Sequence, residues 1–264
     1  MKKLFITTSA IVLCSAMVFA GGSKEKYSVA TAREFVDVDA GVFTIGSEDE
    51  FENEHEVVVS EFYICTHEVT QEEFQSLMGY NPSKTKGKNK PVTNITWYEA
   101  VDYCNKLSIE RGLTPCYNDD YEYDFCANGF RLPTESEWEI AAKGGQKSRG
   151  FIFSGSDYLE DVAWCGSNSG HKPHDVRTKA PNELGIYDMT GNVAEWCLDW
   201  HDEYPTERQE MDPTGPAFGT ERIVRGGSCY FIDENCSVTA RNSRTPDTTE
   251  SYIGFRVVRS GPRG

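Results

Sequence analysis

The chain has 264 residues, with 26 Lys and Arg against 42 Asp and Glu, a formal charge of −16. A partner built on phosphates demands a basic face, so this balance excludes nucleic acid as a target. The length allows one large domain or two small ones, and no linker-like stretch interrupts it, which favours one.

Lys2 and Lys3 precede an apolar run over residues 4–20, and small residues follow at Gly21 and Gly22. This is the pattern of a cleaved secretory signal, and the run is short for a membrane span. Its removal takes Lys2 and Lys3 and leaves 24 basic against 42 acidic residues, a charge of −18. The expected organisation is a signal at 1–20, a polar lead-in at 21–34 and one domain at 35–260, with no transmembrane span once the signal is gone. The product is exported, to a periplasm or a cell surface. Cys14 lies inside the apolar run behind Leu13, where a small residue is expected, so a lipid anchor there is the lesser alternative.

Residues 35–47 alternate apolar and polar side chains around a turn at 39–41, a hairpin signal. An acidic loop follows, and residues 57–69 (VVVSEFYICTHEV) read as strand. Thr70–Glu73, Thr96–Glu99 and Thr134–Glu137 each have the Thr-x-x-Glu spacing of a capping box, so three helices start there. Gly79, Gly112 and Gly144 are placed to end them. In the middle helix Trp97, Ala100, Val101, Cys104 and Leu107 share one face, which reads as core. Residues 116–131 return to short strands and turns. Residues 151–188 are mostly loop and contain His171 and His174, too few ligands for a zinc site. Residues 185–200 are dense and aromatic. The closing stretch over 222–259 has β-like ends, with Gly226, Gly227 and a polar, aromatic loop between them. Few helices and many short strands define an α+β domain with much irregular structure.

Eight cysteines remain beyond the signal: Cys65, Cys104, Cys116, Cys126, Cys165, Cys197, Cys229 and Cys236. An even number in an exported chain permits disulfides, with Cys116 and Cys126 placed to bridge a hairpin, whereas a domain this long holds together without them. No CxxC spacing supports zinc.

Seven stretches occur in a familiar order: 41–46 (GVFTIG), 68–74 (EVTQEEF), 91–100 (PVTNITWYEA), 130–142 (FRLPTESEWEIAA), 185–196 (GIYDMTGNVAEW), 225–228 (RGGS) and 253–256 (IGFR). Together they resemble the formylglycine-generating-enzyme, or sulfatase-modifying factor, family. The resemblance implies a C-type lectin fold with small twisted sheets. It also implies copper(I) held by two cysteines five apart in members that oxidise a sulfatase cysteine. The second matches Cys236, but the first falls at Phe231, and Cys229 is seven residues before Cys236. An oxidase using Cys229 and Cys236 with copper is therefore the alternative, soft sulfur being the right donor.

The closing stretch is similar to one branch of that fold, the variable proteins of diversity-generating retroelements, whose C-terminal segment is a ligand-binding surface. The frame residues here are 225–228, Cys236, Arg241, Pro246 and 253–256. The expected contact residues between them are Tyr230, Phe231, Ile232, Asp233, Ser243, Arg244, Thr245, Thr248, Ser251 and Tyr252. This mixture of aromatic and small polar side chains suits a paratope-like surface. The family also implies calcium on the 188–195 turn, with Asp188 and Glu195 giving carboxylates and Gly191 and Val193 giving carbonyls, hard donors suited to that ion. The leading expectation is an exported, non-catalytic protein that binds a protein or glycan ligand.

Overall fold

The computed structural model describes residues 35–47, 54–203 and 210–261. The expected signal, Cys14 and the lead-in lie outside the described residues.

The three capping boxes form as read. Thr70, Thr96 and Thr134 each accept the amide of the third helical residue, and Glu73, Glu99 and Glu137 each reach back to the cap. They start α1 (Gln71–Met78), α2 (Trp97–Glu110) and α3 (Glu135–Ala142), and α4 (Leu159–Val162) adds one turn. Gly79 closes α1 in the left-handed region at φ 87°. α2 and α3 are capped by Arg111 and Lys143, each one residue short of the expected glycine.

The strands are β1 (Phe35–Val38), β2 (Gly41–Ile45), β3 (His55–Val59), β4 (Phe62–Cys65), β5 (Phe130–Arg131), β6 (Ala194–Trp200), β7 (Glu210–Met211), β8 (Arg222–Arg225), β9 (Arg241–Arg244), β10 (Ile253–Gly254) and β11 (Val258–Ser260). They form sheets of order β1-β4-β11-β5, β10-β6-β8-β9 and β2-β3-β7. β1 and β2 do not pair as a hairpin: β1 lies against β4 and β2 against β3. The expected single strand over 57–69 breaks at Ser60 and Glu61 into β3 and β4, which belong to different sheets. Local alternation specifies an extended chain but not its neighbour, and here each partner lies beyond the next turn.

The sheet containing β6 and β8 is covered on both faces. Trp196, Leu198 and Val224 enter one hydrophobic cluster, with Trp97, Ala100, Val101 and Cys104 of α2. Cys197 and Ile223, on the alternate positions, enter the other with Trp138 of α3. Successive side chains of a strand point to opposite faces, so one strand pair ties two cores together. Trp97 donates its indole N–H to the Cys197 carbonyl at 2.8 Å. The Arg222 guanidinium lies between the Trp97 and Trp200 rings, 3.9 and 3.4 Å from their centroids.

All eight cysteines of the described residues are thiols, and only Cys126 is exposed. None of the described helices is long and apolar enough to cross a membrane.

Glu73 has a second task besides capping α1: its Oε1 lies 3.4 Å from Nε2 of buried His67, whose Nδ1 faces the Cys65 thiol at 3.6 Å. Burial alone would raise the Glu73 pKa, but hydrogen bonds from His67 and Thr70 and the His67 charge bring it down to about 2. Burial likewise opposes protonation of His67, but Cys65 and Glu73 hold its pKa up to about 10. A folded pKa below the ordinary 4.5 contributes stability present above that value and lost as pH falls toward 2. The raised His67 pKa contributes stability that is fully present below about 6.5 and is lost as pH rises from there through 10. The gap in melting temperature between wild type and Glu73→Gln should therefore be widest from about pH 5 to about pH 6.5, narrow steadily above that, and close toward pH 2 and pH 10, as read by thermal denaturation.

Candidate functional site

The closing segment is held from below by three arginines, of which Arg225 and Arg256 have no access to solvent and Arg241 has little. Arg225, the last residue of β8, donates to Glu139 at 2.5 Å and to the carbonyls of Val238, Thr239 and Ala240 at 3.0, 2.8 and 2.9 Å. It thus pins the return of the loop that β8 opens. Arg241 of β9 makes a two-pronged pair with Glu135 at 2.6 and 2.7 Å. Arg256, after β10, makes the same fork with Glu195 of β6 at 2.7 and 2.6 Å and donates to the carbonyls of Cys65 and Tyr187. Planar guanidinium geometry suits each of these forks.

Gly226 and Gly227 turn the chain out of β8 with φ of 91° and 69°. A Cβ on Gly227 would lie 2.4 Å from the Cys236 sulfur and 2.6 Å from the Asn235 carbonyl oxygen. Glycine is needed there for both conformation and space. The loop is also fastened sideways: Gly166 N–H donates to Phe231 O at 2.9 Å, Ser169 Oγ to Cys229 O at 2.7 Å, and Asp233 accepts from Cys165 Sγ at 3.2 Å and Ser167 Oγ at 3.1 Å.

On this base three of the expected contact residues come together, and Ile232 is displayed beside them in the chain. Tyr230 is 41 % exposed and Ile232 62 %. The Tyr230 and Phe231 rings lie 5.6 and 5.3 Å from the Tyr252 ring. Phe231 is half-buried against the satellite cluster that holds Cys165 and Cys236. Ser243 and Arg244 do not join this group. They sit on β9, at the opposite edge of the sheet from β10, roughly 14 Å away by strand spacing. Ser243 donates to Glu221, and Arg244 donates to the Ser243 carbonyl. Thr245 and Thr248 close a turn on each other, and Ser251 is half-buried beside Tyr252.

One ring is added that the sequence reading did not assign. His171 stacks toward Tyr230 with centroids 5.9 Å apart. Its partner in the spacing, His174, is used elsewhere, stacked 3.8 Å from the Trp164 ring with Lys179 4.3 Å from the centroid of that ring. Some sixty residues separate His171 from Tyr230, so no local pattern signals the pair.

Cys229 and Cys236 are both fully buried. Burial is the main reason both thiols are pushed up to about 12, and it leaves neither sulfur open to solvent. Copper(I) takes thiolates at an accessible position. The pair as it stands does not fit that ion.

The turn expected to hold calcium is formed differently from a cation site. Both Glu195 oxygens accept from Arg256, and Oε2 also accepts from the Trp138 indole at 2.8 Å. Asp188 accepts the Arg177 amide at 2.7 Å. The Gly191 amide donates to Gly226 O, and the Val193 amide donates to Glu68. A carboxylate committed to a buried guanidinium is not free to ligate a second cation, so Glu195 does not fit the expected role. Arg256 supplies the positive charge instead. Burial and the neighbouring Asp188 and Glu195 carboxylates push Glu68 well above its ordinary pKa, and burial raises Asp188 to about 6.

The class defined by this fold and frame is a formylglycine-generating-enzyme-type domain of the C-type lectin fold, with mixed short sheets and few helices. The sulfatase-modifying factor enzyme 1-like domain matches residues 22–261, and the chain belongs to that family. It is 34% identical over 292 residues to the chaperone protein LppX of Paenibacillus barcinonensis, covering 97% of this chain and 98% of that protein. It is 34% identical over 187 residues to the formylglycine-generating enzyme of Streptomyces coelicolor, covering 64% of this chain and 52% of the enzyme, so the match spans about half of that relative. Among solved structures, Treponema denticola variable protein 1 superposes with TM-score 0.81 at 38% identity, covering 86% of this chain and 95% of that one. CarF superposes with TM-score 0.69 at 29% identity, covering 87% and 98%.

Arg256→Met leaves the Glu195 carboxylate buried without its cation and should lower unfolding free energy by about 3–5 kcal/mol. The double replacement of both residues by Met should recover part of that loss in chemical denaturation. Gly227→Ala combines a left-handed alanine with a contact on Cys236 and should cost on the order of 3 kcal/mol by the same assay.

Proposed function

We propose that this protein is an exported, non-catalytic binding member of the family, and that it meets its partner through Tyr230, Phe231, Ile232 and Tyr252. The observation that carries the reading is the gathering of these side chains at the rim of a buried, arginine-fastened frame. Tyr and Phe give contact area for little conformational entropy, and a rigid base limits the ordering cost of binding. The likeness to a variable protein supports a ligand-binding use of the fold. A relative matched over nearly its full length is named a chaperone, which fits a polypeptide partner better than a reaction. The copper-oxidase reading draws no support from Cys229 and Cys236, because both sulfurs are closed off by burial and Phe231 occupies the other expected ligand position.

The test uses the chain without residues 1–20. The protein carrying a photo-crosslinking phenylalanine at Ile232 should form discrete adducts in an envelope extract. Tyr230→Ala with Tyr252→Ala should reduce them about tenfold or more, since anchor aromatics dominate contact energy; because Tyr252 also packs against the larger hydrophobic cluster, the exposed Tyr230→Ala change alone should lower them in the same direction with the melting temperature within a few degrees of wild type. Undiminished adducts in the double variant, or aldehyde formation on a sulfatase-type cysteine peptide that is lost in Cys236→Ser, overturn the reading.

A further inference from the structure

The aromatic stripe has a basic flank that the sequence hides, because its parts are far apart in the chain. The loop carrying Lys84, Lys86, Lys88 and Lys90 runs between the bases of the two loops that present His171 and Tyr252. At one end Lys90 donates to Pro173 O at 2.8 Å, and Val176 N–H donates to Asn89 O at 2.9 Å, which fixes the loop beside His171 and Lys172. At the other end the Lys84 amide donates to Asn94 Oδ1 at 3.3 Å, and the Asn94 amide donates to Glu250 O at 2.9 Å, two residues before Tyr252. Lys84, Lys86, Lys88 and Lys172 are all exposed. Asp175 faces Lys90 at 3.6 Å and Asp233 accepts from Cys165 and Ser167, while Glu72, whose amide donates to Lys88 O, and Glu234 are exposed acids at the edges of the same surface, and Lys86 Nζ donates to Asn81 O at 2.8 Å. In a chain of net charge −16, a run of exposed lysines along one side of an aromatic surface is a local concentration of positive charge.

Resting on the binding role proposed above, we infer that the partner is a polypeptide whose contacting segment combines carboxylates with apolar side chains. The carboxylates face the lysine flank, and the apolar groups cover Tyr230, Tyr252 and Ile232. Complementary rim charge raises the encounter rate and orients the partner, whereas the desolvated aromatic centre sets how long it stays. A polypeptide is favoured over an acidic glycan because Ile232, 62 % exposed, and the adjoining rings form an apolar stretch, which a polyhydroxylated chain covers poorly. Lys84, Lys86, Lys88, Lys172 and His171 thereby become part of the recognition surface.

The probes are three synthetic peptides of one length, in which Trp and Leu alternate with Glu, with Gln or with Lys, and heparin as the acidic glycan. Binding to the chain without residues 1–20 is followed by fluorescence anisotropy and stopped flow. The Glu peptide should bind, with an association rate that falls about tenfold between roughly 20 mM and 300 mM salt. The combined Lys84→Glu, Lys88→Glu and Lys172→Glu variant should lose about tenfold in association rate at low salt, with a far smaller change in dissociation rate. No binding of the Glu peptide, equal or tighter binding of the Gln or Lys peptide, or heparin binding tighter than the Glu peptide overturns the inference. The two proposals fail separately. If Tyr230→Ala with Tyr252→Ala removes the envelope adducts but charge reversal changes neither adducts nor peptide rates, the binding surface stands and the acidic partner falls. If neither variant changes the adducts, both fall.

Discussion

The fork between Arg256 and Glu195 is the contact on which the rest of the molecule depends. It joins the end of the closing segment to β6, the strand whose alternate faces enter both hydrophobic cores. Glu195 is also held by the Trp138 indole from α3, so one carboxylate connects a helix, a central strand and the last part of the chain. Burying such a pair yields little net stability compared with an apolar core, but it makes alternative packings costly, because every misplacement strands a charge. The Arg225 contacts with Glu139 and with three loop carbonyls act in the same way at the other end of the segment.

This arrangement separates two demands that conflict in a binding protein. A contact surface needs exposed apolar side chains, which by themselves favour collapse or aggregation. Here Tyr230 and Ile232 are displayed from a loop whose backbone is fixed by Gly166, Ser169 and the Gly226–Gly227 turn. Under the proposed binding role, stability lies below the loop and contact area above it, so that a side chain on the rim can change without disturbing the frame.

The helix starts were legible because a capping box is a local device: Thr70, Thr96 and Thr134 need only a glutamate three residues on. Strand pairing was not, as β1 and β2 show. Their alternation was read correctly as extended chain, yet each takes a partner from beyond the adjacent turn. The site divides along the same line. Tyr230, Phe231, Ile232 and Tyr252 were legible as candidates by type and position, and the three rings do meet, with Ile232 exposed next to them in the chain. Ser243 and Arg244 had the same chemical character but lie at the other edge of their sheet, which sheet order alone reveals. His171 was read only as half of a histidine pair, and the lysine loop as a plain loop, since their neighbours are brought in over tens of residues.

The amino-acid sequence by itself determined the family, the starts of the three capped helices, the turn glycines and the chemical character of the closing segment. All of these rest on residue types at short fixed spacings. The tertiary structure alone decided the use of each charge and ring. Glu195 meets Arg256 rather than a metal because the end of β10 is laid parallel to β6. Cys229 and Cys236 are buried thiols because the loop folds inward over them. The aromatic stripe acquires a basic flank because separate loops are bonded side by side. Burial and distant pairing set the energy of each of these groups, and neither is a property of a residue and its near neighbours.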